Sequence, residues 1–232
     1  MIVSVHIADL GPRRGAATVR RRPLPGEVPG LAYAETVISA PITDKLLPSP
    51  DLGRVGLIAA WEEETALEEF CASHQLGRRL AAGWQVRLQP LRVSGAWPQM
   101  PGLPERPLAV EDEEPVAVLT LGRPRLTRLL PFLRSAAAAE ADATREPEML
   151  ASAGLAHPPR LVSTFTIWRS AAAMKDYSYR QAGAHQAAVR ADRERPYHHE
   201  SAFIRFRPLS SRGRWDGRDP LAGILPAAQA AA

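Results

Sequence analysis

A single cysteine, Cys71, stands in 232 residues. One thiol cannot pair within its own chain, so a disulfide scaffold is excluded and the composition suits a reducing compartment. No stretch approaches the roughly 18 consecutive apolar residues of a membrane span. Met1 to Asp9 lacks the basic start and long apolar run of a signal peptide. The expectation is therefore a cytoplasmic protein with no membrane span. Cys-X-X-Cys and His-Glu-X-X-His patterns are missing, as are a phosphate loop, a dinucleotide fingerprint and a Ser or Cys nucleophile motif. The net charge is only +4, and the basic residues are scattered apart from Arg13-Arg14 and Arg20-Arg21-Arg22. Without a basic stripe and interleaved aromatics, no nucleic-acid partner is expected.

What is present is ordinary globular material. Hydrophobic residues make up 45% and charged residues 23%, enough to bury a core without covalent staples. The 22 prolines fall mostly in connectors, where they fix the chain path.

The chain also repeats itself. Leu57-Ile58-Ala59-Ala60-Trp61, followed by Leu67 and Phe70, runs parallel to Thr164-Phe165-Thr166-Ile167-Trp168, followed by Met174 and Tyr177. Further on, Trp84 to Leu91 answers Ala202 to Leu209, and each copy then reaches a Gly-X-Trp, Gly95-Ala96-Trp97 and Gly213-Arg214-Trp215. A duplication explains such matches in fixed order.

Alternation marks Met1 to Ile7 as a strand, with Val3, Val5 and Ile7 on one face, and Pro115 to Leu121 as its counterpart. A short helix near Gly15 to Arg22 and a longer one over Arg125 to Ala143 are expected next. Strands follow at Leu31 to Ser39 and Met149 to Leu155, and third strands end at Trp61 and Trp168. Thr65 with Glu68 reads as a capping box for the first long helix, whose apolar stripe is Leu67, Phe70, Cys71 and His74. Ser170 is the expected N-cap of the second, and Gly183 should loosen that helix before His185. Strand-helix-strand-strand-helix-strand is the ferredoxin-like plan. The expected fold is thus α+β, with two tandem ferredoxin-like repeats, 1–97 and 115–221. A Pro-rich, acidic linker, 98–114, joins them. Their four-stranded sheets pack together by their bare faces in a dimeric-α/β-barrel type of body. The alanine-rich tail, 222–232, is expected to be disordered.

Histidines carry what chemistry the residues suggest. His6 lies on the less apolar side of its strand, His198-His199 are expected in a loop, and His74 and His185 lie on the long helices. A neutral imidazole is a good haem-iron ligand, yet one histidine alone leaves surface, core and ligand roles open. Cys71, on an apolar helix stripe, reads as a buried structural cysteine.

Phe165-Thr166-Ile167-Trp168, Tyr177-Ser178-Tyr179-Arg180, Gly183-Ala184-His185-Gln186-Ala187-Ala188 and Phe203-Ile204-Arg205-Phe206 together resemble the spheroidene monooxygenase family, acyclic carotenoid ketolases of the dimeric α/β-barrel superfamily. Ala59-Ala60-Trp61, Ser94-Gly95-Ala96-Trp97 and Leu119-Thr120 with Arg125 and Phe132 are similar to further family landmarks. The resemblance extends to about Leu221. It implies haem b, dioxygen, an external electron donor such as a ferredoxin, and a hydrophobic small-molecule substrate. It implies His185 as the proximal iron ligand. Trp168, Tyr177 and Phe132 become candidate walls and Arg180 and Arg125 candidate propionate partners, with Tyr179 a polar group near the iron.

One departure stands out. Where the family is expected to carry Gly-Ile-Gly-Glu, this chain has Gly154-Leu155-Ala156-His157, so His157 becomes a second candidate polar group. Three readings stay open at the level of sequence: a haem-dependent monooxygenase, a haem-dependent dehydratase or other tailoring enzyme of specialised metabolism, and a cofactor-free barrel that binds an apolar ligand. A homodimer is compatible with each and required by none.

Overall fold

The computed structural model describes residues 1–41, 52–128, 131, 132, 134, 145–179, 190 and 194–225. Eight strands are joined edge to edge in one closed antiparallel barrel. In chain order they are β1 (Ile2–Asp9), β2 (Leu31–Ala40), β3 (Arg54–Trp61), β4 (Trp84–Gly95), β5 (Val116–Pro124), β6 (Met149–His157), β7 (Leu161–Trp168) and β8 (His198–Gly213). Around the barrel the order is β1-β3-β2-β6-β7-β5-β8-β4. Each half therefore runs fourth, first, third, second, the order of a ferredoxin-like sheet. The expected pair of face-packed sheets is corrected. The sheets meet at their edges, β2 on β6 and β4 on β8, because closure removes four open edges that two separate sheets would expose.

Alternation then decides what lies inside. Val3, Val5 and Ile7 of β1, Val86 and Leu88 of β4, and Phe165 and Ile167 of β7 point into the lumen and join one apolar cluster. Each such side chain, fully buried, contributes about 1.5–3 kcal/mol. Two tryptophans stopper the ends. Trp97 and Trp215 follow Gly95 and Gly213, whose backbones take φ of 86° and 85°. That left-handed geometry turns the strand sharply and suits glycine, which has no Cβ to clash. Both tryptophans belong to the lumen cluster, and Trp215 packs 5.1 Å from Trp84 and 6.3 Å from Phe165. The expected linker also takes part, because Met100 is buried in the lumen. The tail expected to be disordered, 222–232, includes described residues up to 225. Leu225 is buried with Leu221, one helical turn away, in the same cluster, and residues 226–232 lie outside the described residues.

The outward faces are covered by helices. In the first half, α1 (Pro12–Val19), α2 (Glu64–Ser73) and α3 (Gln75–Leu80) bury Leu57 and Trp61 under Leu67, Phe70 and Leu80. α1 starts earlier than its sequence reading because Pro12 takes the first turn, where its missing N–H costs nothing. The capping box does not form. α2 starts at Glu64, with Glu63 at the cap and no side-chain bond. Glu64 and Glu68 are instead drawn to the buried Arg87. His74 also departs from expectation. The helix ends at Ser73, and His74 caps α3, its Nδ1 accepting from the Leu76 amide at 3.2 Å. In the second half, α4 (Ala171–Tyr179) is capped as expected, the Ala173 amide donating to Ser170 Oγ at 3.1 Å. Leu126–Arg128 form one 3-10 turn, and most of the helix expected over Arg125 to Ala143 lies outside the described residues.

Candidate functional site

The stoppered lumen leaves the outward faces as places for a ligand, and the two halves differ there. The first half buries twelve residues in its outer layer. Among the described residues the second has a smaller patch, in which Trp168, Val116, Ala171 and Met174 are the buried members. Beyond that patch the outward face of β5, β7 and β8 carries half-buried Thr120, Thr164 and Thr166 and an exposed Phe203. Thr120 and Thr164 share a hydrogen bond of 2.7 Å across the strands.

Trp168 and Tyr177 come together. Trp168 ends β7, its Nε1 donates to Thr166 Oγ1 at 2.9 Å, and its ring lies 5.1 Å from that of Tyr177 on α4. Tyr179, at the end of α4, is 64% exposed. Arg125 and Phe132 form a separate group. Arg125 Nε donates to the His198 carbonyl at 3.0 Å, and the Phe132 ring meets the His198 ring edge-on at 4.9 Å. His198 is therefore not in a loop. It opens β8, pairs with Pro124, and sits where a Cβ on Gly122 would approach its ring to 2.5 Å. Val116 faces Trp168 at one end of β5 and Pro124 faces His198 at the other. At about 3.3 Å per residue the two groups stand about 26 Å apart on one sheet face.

His157 joins neither group. It shares the inward parity of Ala153 and Leu155 on β6 and lies at the barrel rim where β2 meets β6. Its Nδ1–H donates to the Thr36 carbonyl at 2.8 Å and lies 2.9 Å from Glu35 Oε1. Glu35 is buried and also meets Arg22 at 3.1 Å. His157 thus forms a latch between the halves. His185 and Arg180 lie outside the described residues.

The remaining titratable groups fit structural roles. Burial lowers the imidazole of His6 to about 4. Its Nε2 meets Ser4 Oγ at 3.0 Å, and that oxygen accepts from Trp61 Nε1 at 2.9 Å. Burial pushes the Cys71 thiol up, so it stays protonated and is a poor nucleophile. Cys71 borders a recess of about 380 Å³ with Gln85, Arg87 and Arg212, a place with no histidine. Among the described residues no group of three or more His, Cys, Asp or Glu could hold a metal ion, and no helix is long and apolar enough to cross a membrane.

Sequence reading overlooked Arg205. It lies on β8 opposite Val118, points outward, and its Nη2 approaches Met174 Sδ at 3.9 Å. The alternation of Phe203-Ile204-Arg205-Phe206 already put it on the side away from the lumen.

An eight-stranded antiparallel barrel with helices on its outer faces defines an α+β barrel protein. Its sequence relatives are specific. The chain is 32% identical over 174 residues to the spheroidene monooxygenase of Rubrivivax gelatinosus, covering 73% of this chain and 66% of that protein. It is 29% identical over 181 residues to that of Rhodobacter capsulatus, covering 75% of each. It is 28% identical over 186 residues to that of Cereibacter sphaeroides, covering 78% of this chain and 57% of that protein. The chain belongs to the spheroidene monooxygenase family. It spans less than two thirds of the length of the Cereibacter relative. No family model matches it. Among solved structures, an aldoxime dehydratase with butyraldoxime is similar at TM-score 0.44 and 10% identity, covering 89% of this chain and 79% of that one. A haem-degrading enzyme from Listeria monocytogenes is similar at TM-score 0.31 and 10% identity, covering 87% and 98%. Likeness at that level carries no argument about chemistry.

Proposed function

We propose that this chain is a haem-dependent monooxygenase that oxidises a hydrophobic small molecule, with its site on the outward face of β5, β7 and β8. The observation that carries the reading is the contrast between a lumen sealed by Trp97 and Trp215 and an outer face that presents Phe203, 42% exposed, on the same sheet face as the Trp168–Tyr177 wall. Family membership supports the reaction class. The residues of this face fit a flat apolar group: aromatic rings to stack on, hydroxyls of Thr120 and Thr164 already paired to each other, and, among the described residues, no buried carboxylate to repel its acidic edge.

His185, in the Gly-X-His motif, is the proposed axial ligand, and Arg180 a proposed partner for a propionate. When bound, haem b supplies activation of dioxygen with electrons from a donor such as a ferredoxin. Trp168, Tyr177 and Met174 exclude water from one end of the face and bind apolar surface. Tyr179, the last residue of α4, offers an exposed hydroxyl. Phe132 with His198 forms the far boundary, and Arg125, bonded to the His198 carbonyl, positions that boundary. We further read residues 1–97 and 115–221 as duplicated ferredoxin-like units, a reading supported by their shared strand order and by the matching Gly-X-Trp stoppers.

The test loads the full chain with hemin, records its absorption spectrum beside that of His185→Ala, and supplies squalene as an apolar probe with reductant and labelled dioxygen. The expected result is a Soret band lost or shifted in the variant, and product carrying one labelled oxygen atom. Haem binding without any need for dioxygen in turnover would contradict the monooxygenase reading.

A further inference from the structure

Three outward side chains follow one another along β8: Phe203, Arg205 and Arg207. Arg207 has every arm engaged. Its Nε donates to Glu114 Oε2 at 2.7 Å, Nη1 to Gln89 Oε1 at 3.1 Å and Nη2 to the Ala109 carbonyl at 3.0 Å. Arg205, two residues earlier, is half-buried and, among the described residues, has only the thioether of Met174 at 3.9 Å, a weak acceptor. Its register partner across the β4–β8 ladder is Arg92. Like charges placed directly opposite destabilise a sheet. Among the described residues no carboxylate forms an ion pair with either arginine. Burial, with Arg92 adding to it, lowers the pKa of Arg205 below the usual arginine value. A partly desolvated guanidinium without an acceptor costs stability, and this sheet keeps one facing a second cation.

The neighbourhood selects the missing anion. Met174 touches Arg205, Phe203 is exposed beside it and opposite Thr120, and the exposed Tyr179 is close enough for its charge state to be felt. An inorganic anion would leave that apolar surface wet. A carboxylate on a flat apolar body satisfies both parts, because the planar guanidinium forks onto two carboxylate oxygens while the body covers the rings.

We propose that Arg205, backed by Arg92, is the carboxylate anchor of the outward face, and that the carboxylate it takes is a propionate of haem. The inference rests on the haem reading above and adds a residue to it. Hemin and hemin dimethyl ester, in which both propionates are capped, are titrated into the full chain, Arg205→Gln and Arg205→Lys, with palmitate as a second carboxylate probe. Binding is read from the Soret band and tryptophan fluorescence. The unsubstituted chain should prefer hemin to its diester. Arg205→Gln should lose about tenfold to hundredfold in hemin affinity with the diester unchanged, and Arg205→Lys should recover part of the loss. The hemin-to-diester ratio is taken within one protein, so it survives a partly destabilised variant. Equal hemin binding by the unsubstituted chain and Arg205→Gln would overturn the anchor and leave the haem reading intact. Retained hemin binding with loss of palmitate would overturn the propionate and assign the anchor to a substrate acid. Failure of the unsubstituted chain to bind hemin would overturn the haem reading and the anchor together.

Discussion

His6 shows how far a covered face changes a residue. Its strand alternates as the sequence implies, and His6 is on the less apolar side, yet the helices of the first half bury it to 1% exposure. With its imidazole lowered to about 4, the folded protein holds it neutral while the unfolded chain protonates near 6.5. Stability is therefore full above about pH 6.5 and is lost as pH falls from there toward 4, by about 3 kcal/mol at the lower limit. Urea unfolding midpoints at pH 7 and pH 4.5 should differ strongly for the natural chain and much less for His6→Gln. Glu35 behaves differently. It is buried between Arg22 and His157, and Arg22 is partly in water, which screens part of the pair. Glu35→Ala should cost about 1–3 kcal/mol in urea unfolding, with no change in hemin affinity, because the latch lies on the inward side. The sequence made His157 visible only as a departure from a motif. Its partner Glu35 lies in another repeat and was hidden, because β2 and β6 meet only in three dimensions. Arg205 was legible from parity alone, since its neighbours Ile204 and Phe206 claim the lumen.

At the scale of elements, strands were read more faithfully than helix ends. Val3-Val5-Ile7 and Phe165-Ile167 alternate cleanly, and period-two burial follows from that. The capping box at Thr65 and Glu68 misled because capping is a local preference of about 1 kcal/mol. A buried arginine from β4 competes for the same acids, and Arg87 is 4% exposed with Glu64 and Glu68 around it. The break after Ser73 was equally invisible, because His74 continues the apolar stripe while serving as the next cap. Its ring stacks on Phe70 at 4.7 Å, so the stripe had a packing cause. α3 can fold back only because Gly77 presents no Cβ to the carbonyl of Phe70. Gly77→Ala should therefore destabilise the protein by about 1–3 kcal/mol in chemical denaturation, although alanine is the better helix former. A gain in stability would show that α3 does not pack against α2 as described.

The whole molecule is a barrel closed by two unequal seams. Among the described residues β4 and β8 pair through eleven residue pairs from Trp84–Gly213 to Gly95–Ala202, whereas β2 and β6 pair through three, Ile38 to Ala40. The Glu35–His157–Arg22 latch reinforces the shorter seam. Local opening starts where few backbone bonds must break, so amides of Ile38 to Ala40 should exchange with deuterium faster than those of Val86 to Gln89, and Glu35→Ala should widen the difference. The strand order was readable in the chain. The way the halves join was not, because a four-stranded unit can bury its bare face by packing or by closure, and the edge pairing that decides between them joins residues far apart in sequence. With the lumen filled by apolar side chains, the proposed site lies on the outer face of β5, β7 and β8. The most direct test is an iron-anomalous difference map from crystals of the hemin-loaded protein. The account predicts one iron peak over that outer face, beside α4. A peak inside the barrel or over the helices of the first half, or crystals without iron, would contradict it.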